Sequence, residues 1–442
     1  MPGMWQLATL RRERLVAGVL VGWAVMWFVV MAVHGGGSWH FFVDGATALA
    51  DLDDTAAGGL HLYAAAPVLQ IGPVALLAAL PLLAAGPPGA LFAVQVLGAA
   101  AGLVIVRQIR QVAGRIRPNL DRHDINLRVA LAALYLLPVW MYLAVSSAHL
   151  DDVLALLGTI AAAQAACARR PVLTGLLLGL AVDAKPWALA FAALLLIAGD
   201  RRGRLLGLLT LAATITVAWL PFLLADPGTM RAVHYTIPNT QLSALRVFGV
   251  HDPRTPSWAR PAQLLLGLAL GVVAVRRGRW AAVPLLAVMA RVVLDPGTNR
   301  YYVAGIVVGA ALWDVAGSRA VLPWWTIGAG VGLFTSRFVP MPDRAHGWLT
   351  VAYFAACCGL VLAPRGWTDR AAAASVRWLP PTLHAHADRL RAALTDALRL
   401  EALPGVDAQQ RAEIDGGAGT HPGERQQGPA GTDRQQLRAA GQ

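Results

Sequence analysis

Runs of apolar residues recur along most of the chain, and the loops between them are sorted by the sign of their charge. Arginines gather at Arg11–Arg14, Arg107–Arg128, Arg169–Arg170, Arg201–Arg204 and Arg276–Arg279. Between those clusters fall loops carrying Asp and His: Asp44–His61, His149–Asp152, Asp183–Lys185 and the stretch from Asp295. Arg and Lys accumulate in short cytoplasmic loops of membrane proteins. The Arg loops are therefore predicted to face inward and the Asp/His loops to share the outer face. Only helices and closed barrels satisfy backbone groups in lipid, and these runs are too long and continuous for barrel strands. An all-α polytopic membrane protein is expected. A composition 57% hydrophobic and 14% charged, with mean hydropathy +0.54, excludes an ordinary soluble domain.

The net charge of +12 would suggest nucleic acid in a soluble protein. Here the arginines flank apolar helices, so positive-inside topology and anionic headgroups account for them, and no nucleic-acid partner is expected. Cys167, Cys357 and Cys358 lie in or at the ends of apolar segments and imply neither a disulfide framework nor a metal site. The first apolar run, from Leu15 to Val33, follows an Arg-rich start but lacks a clear small-residue cleavage site, and reads as a retained anchor.

At about 20 apolar residues per span, predicted helices cover 15–33, 89–106, 127–145, 152–168, 172–184, 186–199, 204–222, 262–275, 280–294, 301–316, 321–337 and 346–363. The segment Pro67–Ala85 is apolar enough to cross, yet has prolines at 67, 73 and 81. Counting it as a span puts the later Arg clusters on the outside. As an outer juxtamembrane or re-entrant helix it restores the sign rule, giving about twelve spans with both termini cytoplasmic; thirteen is the alternative. Residues 1–368 form the membrane domain in this reading. Residues 369–403 suit a cytoplasmic helix, amphipathic on the leaflet or simply solvated, and 404–442 a disordered cytoplasmic tail.

No Glu occurs between Glu13 and Glu401, so a carboxylate catalyst within the membrane domain must be Asp. The first outer loop supplies Asp44 in the aromatic run WHFFVDG, then Asp51, Asp53 and Asp54, then His61 and Tyr63. A carboxylate in partly apolar surroundings at a membrane surface can work as a general base. The other three Asp residues fit the simpler role of solubilising a long loop, although Asp53–Asp54 could bind a hydrated cation.

His149, Asp151 and Asp152 sit where one predicted helix returns into the next. Asp in a first helical turn complements the macrodipole, but two carboxylates with a His exceed what capping needs. Lys185 is the only lysine in the chain. It suits a phosphate, with Asp183 as a balancing charge, or snorkels at the membrane edge. Asn299, Arg300 and Tyr301 follow Asp295 on the outer side, beside Tyr302. Arg300 runs against the sign rule there, which a phosphate or a nearby Asp would explain. The loop 223–261 adds Arg231, His234, Tyr235, Asn239, Gln241 and Arg246 as plausible sugar or phosphate contacts.

The pieces HFFVDGATAL, GLHLYAAAPVLQIGP, SAHLDDVLALL and AVDAKPWAL make residues 10–365 resemble the GT-C fold glycosyltransferases. They are most similar to the polyprenyl-phosphomannose-dependent mannosyltransferases that build mannosylated lipids and lipoglycans in actinobacterial envelopes. The customary double proline after the loop Tyr is absent, only Pro67 following Tyr63. The resemblance implies an enzyme of the plasma membrane whose site faces outward. It implies Asp44 as general base on the acceptor hydroxyl, His61 and Tyr63 in the substrate loop, and His149, Asp151 and Asp152 as a second acidic motif. Lys185, with Arg300, would contact the phosphate; Asn299 and Tyr301 lie beside it. The implied partners are a lipid-linked sugar donor and a glycolipid or lipoglycan acceptor. No cofactor is required, and a divalent metal is optional.

Three readings compete. A lipid or polyprenyl-linked substrate transporter or flippase would also carry intramembrane polar residues. An inactive envelope scaffold could keep the fold. An arabinofuranosyltransferase would keep the residues and change only the donor.

Overall fold

Helix is the only extended regular structure among the described residues; the sole β contact is an isolated antiparallel bridge between Pro238 and Arg254. The structure, a computed structural model, describes residues 2–54 and 56–364 together with Arg370 and Arg389. The predicted cytoplasmic helix and tail, residues 369–403 and 404–442, otherwise lie outside the described residues.

The chain opens with α1 (Pro2–Ala32). The loop after it, predicted to lie outside, folds into α2 (Trp39–Ala50), the short α3 (Leu62–Ala65) and α4 (Pro73–Leu83). At 1.5 Å per residue the 11 residues of α4 extend about 16 Å, half a hydrocarbon core. Pro73 starts the helix where its missing N–H does no harm, so the prolines set its length.

Helices α5 (Gly86–Ile116), α6 (Arg122–Met141), α7 (Leu150–Cys167) and α8 (Pro171–Ala184) follow. The predicted basic loop at 107–128 is corrected here. Arg107, Arg110 and Arg115 ride on α5, which runs 31 residues, and Arg128 lies within α6. Arg and Gln are good helix formers, so the helix continues past the apolar run. After α8 the chain enters a 3-10 helix, Pro186–Ile197, and then α9 (Arg201–Ala225).

The long loop 226–258 contains α10 (Met230–His234) and α11 (Ala244–Val247). It leads to α12 (Ala259–Arg276), α13 (Val283–Val293), α14 (Val303–Leu312), α15 (Trp324–Ile327) and α16 (Asp343–Leu362). Helical structure thus falls on every predicted span. Among the described residues, seven helices are long and apolar enough to cross a membrane, including the Arg14–Ala32 part of α1.

Packing separates two kinds of helix. Apolar side chains of α1 and α9 are bare, Val29 being 61% and Val217 76% exposed, as lipid-facing surfaces require. Helices α6, α7, α13 and α14 fill the main core with Leu137, Trp140, Ile160, Leu286 and Ile306. A second apolar cluster joins α2, α3 and α4 through Phe42, Leu62, Tyr63 and Leu76, and extends to Leu150 and Phe222. The segment between α1 and α5 is therefore a packed layer seated on the start of α7.

Candidate functional site

The site begins with an irregular turn. Beyond α6 the backbone widens into a π-helical turn, Tyr142–Ser146, and Ala148 then adopts a φ of 47°. A left-handed conformation costs a residue with a Cβ about 1–2 kcal/mol. These two irregularities set His149 at the N-cap of α7, with Asp151 and Asp152 in its first turn. The turn is held from above: the Gly37 and Ser38 N–H groups donate to the Ser146 and Ser147 carbonyls at 3.1 and 2.8 Å.

On that turn a charged network closes. His149 Nδ1 lies 2.7 Å from Asp151 Oδ1, and His149 Nε2 lies 3.8 Å from Asp152 Oδ2. The ammonium of Lys185 donates to the other oxygen of Asp151. The extended backbone of Lys185 between α8 and the 3-10 helix delivers it there. Trp187 Nε1 donates to Asp152 Oδ1 at 3.0 Å, and Arg291 of α13 stands 3.7 Å from the same oxygen. Arg291 also faces Asp295 at 3.8 Å and lies between the rings of Trp187 and Tyr302, 4.5 and 4.4 Å from their centroids. Asp151 is fully buried, and Asp152, His149, Arg291 and Asp295 are nearly so. Burial pushes the Asp295 carboxyl, in the loop after α13, above its ordinary range, although Arg291 and the Gly297 N–H oppose the shift.

The residues singled out in the sequence fall into three groups. His149, Asp151, Asp152 and Lys185 meet in the network, and Tyr301 joins them with its ring 4.2 Å from that of His149. Lys185 pairs with Asp151 and not with Asp183, which is fully buried two residues before it. Asp44 lies on α2, exposed and, among the described residues, without an ion pair or hydrogen bond. The ring of Phe42, two residues earlier, meets that of His149 edge-on with centroids 6.0 Å apart, so α2 brings the segment after α1 to the edge of the network.

The third group lies farther out. His61 is half-exposed, 3.7 Å from Asp226. Tyr63 is fully buried against Trp219 and Phe222 and donates to the Ile71 carbonyl at 2.8 Å, so its hydroxyl serves the loop backbone. Asn299 donates to the Tyr301 hydroxyl at 3.2 Å, and Arg300 is exposed over the Phe338 ring. Asn239 and Arg246 are occupied in folding the long loop between α9 and α12: the Asn239 amide donates to the Val250 and Asp252 carbonyls, and Arg246 donates to the Asn239 carbonyl.

Arg291 is the residue that sequence reasoning missed. Its signal was present, one charged side chain inside the apolar run of α13, and such residues are functional candidates by default. Its partners Asp152 and Trp187 are invisible in sequence because they come from distant segments of the chain.

The model of glycosyltransferase family 87 matches residues 72–313, more than half of the 442-residue chain. The chain belongs to glycosyltransferase family 87. No curated protein and no solved structure matches it. It is therefore a multi-pass membrane glycosyltransferase, which implies a sugar donor and an acceptor. The matched segment of this family 87 enzyme holds the whole network from His149 to Tyr302. Asp44, His61 and Tyr63 precede that segment.

His149, Asp151 and Asp152 also offer three ligand atoms within 4.8 Å of one another. Charge decides against a simple metal reading of this family 87 site. Lys185 already neutralises Asp151 and Arg291 faces Asp152, so a divalent cation would have to displace the ammonium from a buried carboxylate.

Proposed function

We propose that this protein moves a sugar, mannose in the first instance, from a polyprenyl-phosphate donor to an envelope glycolipid or lipoglycan. Transfer occurs at the outer face of the plasma membrane and with inversion. The observation that carries the reading is the pairing of an unengaged carboxylate with a buried charged network. Asp44 stands free on α2, while α2 packs through Phe42 on the His149 turn.

The chemistry balances with these parts. The acceptor hydroxyl attacks the anomeric carbon, and its proton passes to the Asp44 carboxylate. The bond between that carbon and the phosphate oxygen breaks, and the polyprenyl phosphate leaves with the electron pair. Positively charged side chains on the outer face stabilise that departing charge, an effect worth several kcal/mol where water is excluded. The network of His149, Asp151, Asp152 and Lys185 fixes the floor on which the sugar rests. A phosphate is already a fair leaving group, so the reading needs no metal.

Membranes carrying wild type or Asp44→Asn, given radiolabelled polyprenyl-phosphomannose and an envelope-lipid extract, test this. Label entering a new glycolipid with wild type, and at least about 100-fold more slowly with Asp44→Asn, is the expected result for loss of a general base. Equal transfer by both removes Asp44 from the mechanism. If neither transfers mannose, the same assay with polyprenyl-phosphoarabinose follows. Failure there as well leaves transport or scaffolding as the better account.

A further inference from the structure

Two pairs of cations, Lys185 with Arg291 and Arg300 with Arg337, differ in one respect. Lys185 and Arg291 face carboxylates in the buried network. Arg300 and Arg337 do not: among the described residues neither forms an ion pair. Arg300 is laid over the Phe338 ring, 4.6 Å from its centroid. Arg337, on the 3-10 turn Thr335–Phe338, makes only a long contact of 3.4 Å to the Thr298 carbonyl. The two guanidinium groups lie within Coulombic reach of each other, and Arg337 within reach of His346. Asp343 also acts on His346 but pairs with neither arginine.

Beside these cations are two buried polar groups with nothing to bond. Ser336 and His346 are 8% and 6% exposed, and the Ser336 Oγ and the His346 Nδ1 lack partners. A buried polar atom left unmade costs about 1–3 kcal/mol, so each of these two, one adjoining Arg337 in the chain and one within its Coulombic reach, leaves room for a further partner. His346 lies in the first turns of α16, whose N-terminus carries no side-chain cap. An uncapped N-terminus offers free N–H groups and a positive field to an anion. Like charges gathered without a counter-ion, over unsatisfied donors, fit a phosphate and not a carboxylate of this chain.

We propose that Arg300 and Arg337, with Ser336 and His346 beside them, cradle the phosphate of the lipid-linked substrate. The inference rests on the transfer reading above and gives its phosphate a place. Tyr301 follows Arg300 in the chain and meets the His149 ring edge-on, so a phosphate held there lies next to the network. Lys185, held by Asp151, then serves the floor of the site.

The test uses the full chain in phosphatidylcholine nanodiscs and three probes: farnesyl phosphate, farnesol and inorganic phosphate. Wild type should bind farnesyl phosphate well above farnesol. Arg300→Gln and Arg337→Gln should each weaken that binding about 10–100-fold, the loss of a hydrogen bond to a charged group. Farnesol binding should not change. Arg337→Lys, keeping charge without the fork, should recover part of the affinity, and unaltered thermal midpoints would separate this from misfolding. Inorganic phosphate should compete only weakly.

Wild type binding both prenyl probes equally, or arginine variants binding farnesyl phosphate like wild type, would overturn the cradle. So would inorganic phosphate competing as well as the lipid. Nanodiscs containing phosphatidylglycerol supply the last arm: suppression of farnesyl phosphate binding there would assign the site to bilayer headgroups instead. None of these probes carries a sugar, so a failed transfer assay leaves the result standing. Normal transfer by both arginine variants would overturn the cradle and spare the transfer reading.

Discussion

Lys185, part-buried, and Asp151, fully buried, are 34 residues apart, so their pairing is a property of the fold. Removing one member of a buried pair leaves an uncompensated charge, which costs about 3–5 kcal/mol, whereas removing both can be nearly neutral. Lys185→Met is therefore expected to lower stability by about that amount. The double variant Lys185→Met with Asp151→Asn should recover most of the loss, read as thermal midpoints in detergent. Additive losses would mean that the pair contributes no coupling.

Asp295 gives a pH signature. Its carboxyl titrates above the ordinary range because it is buried. As pH rises through the unfolded value of about 4, the unfolded chain releases its proton first, and wild-type stability falls until the folded group ionises too. Asp295→Asn has no proton to lose. Its midpoint should gain on wild type as pH rises from acid toward neutral, and a constant difference across that range would refute the shift.

The candidates at this scale were legible as residue types: a lone lysine, a His with two Asp, an arginine on the wrong face. Their partners were not, because every link from His149, Lys185 or Arg291 to another helix spans dozens of residues.

At the scale of elements, glycines fix where helices meet. The Gly72 N–H donates to the Ala184 carbonyl at 3.0 Å, joining the start of α4 to the end of α8. A Cβ at Gly72 would fall 1.9 Å from the Asp183 carbonyl oxygen and 2.7 Å from that of Ala184. Both obstacles are backbone, so neither can step aside. Gly72→Ala is expected to destabilise by about 3 kcal/mol, the upper end for overpacking, and to free α4 to limited proteolysis. A variant as stable and as resistant as wild type would show that the junction has slack.

Helix positions followed from apolar runs and prolines; helix ends did not. The α5 helix extends past its apolar run because Arg and Gln prolong helices as readily as Leu. The π-helical turn and the left-handed Ala148 left no trace in a stretch reading YLAVSSA. Tertiary contacts impose them: Gly37 and Ser38 grip the turn carbonyls, and α7 must start at His149.

Across the whole molecule the sorted arginines also have structural work. At the end opposite the His149 turn, Arg117 is fully buried and donates to the Ala316 and Ser318 carbonyls. Arg128 donates to the Asp314 and Ser318 carbonyls, and Arg279 to those of Leu360, Val361 and Ala363 at the C-terminus of α16. These side chains satisfy carbonyls that a helix end leaves open, so arginines expected to face headgroups are also structural ties. The topology they imply is open to direct measurement. With Cys167, Cys357 and Cys358 replaced by Ser, single cysteines at exposed positions 53, 252, 202 and 276 can be probed in intact cells. A membrane-impermeant maleimide should label Asp53→Cys and Asp252→Cys at once, and Arg202→Cys and Arg276→Cys only after the membrane is opened. Labelling at 202 from outside would mean that α4 and its flanks cross the bilayer, giving the thirteen-span arrangement. The 11 residues of α4 argue against that, since a helix of about 16 Å leaves roughly half the hydrocarbon core to a chain with unsatisfied backbone groups.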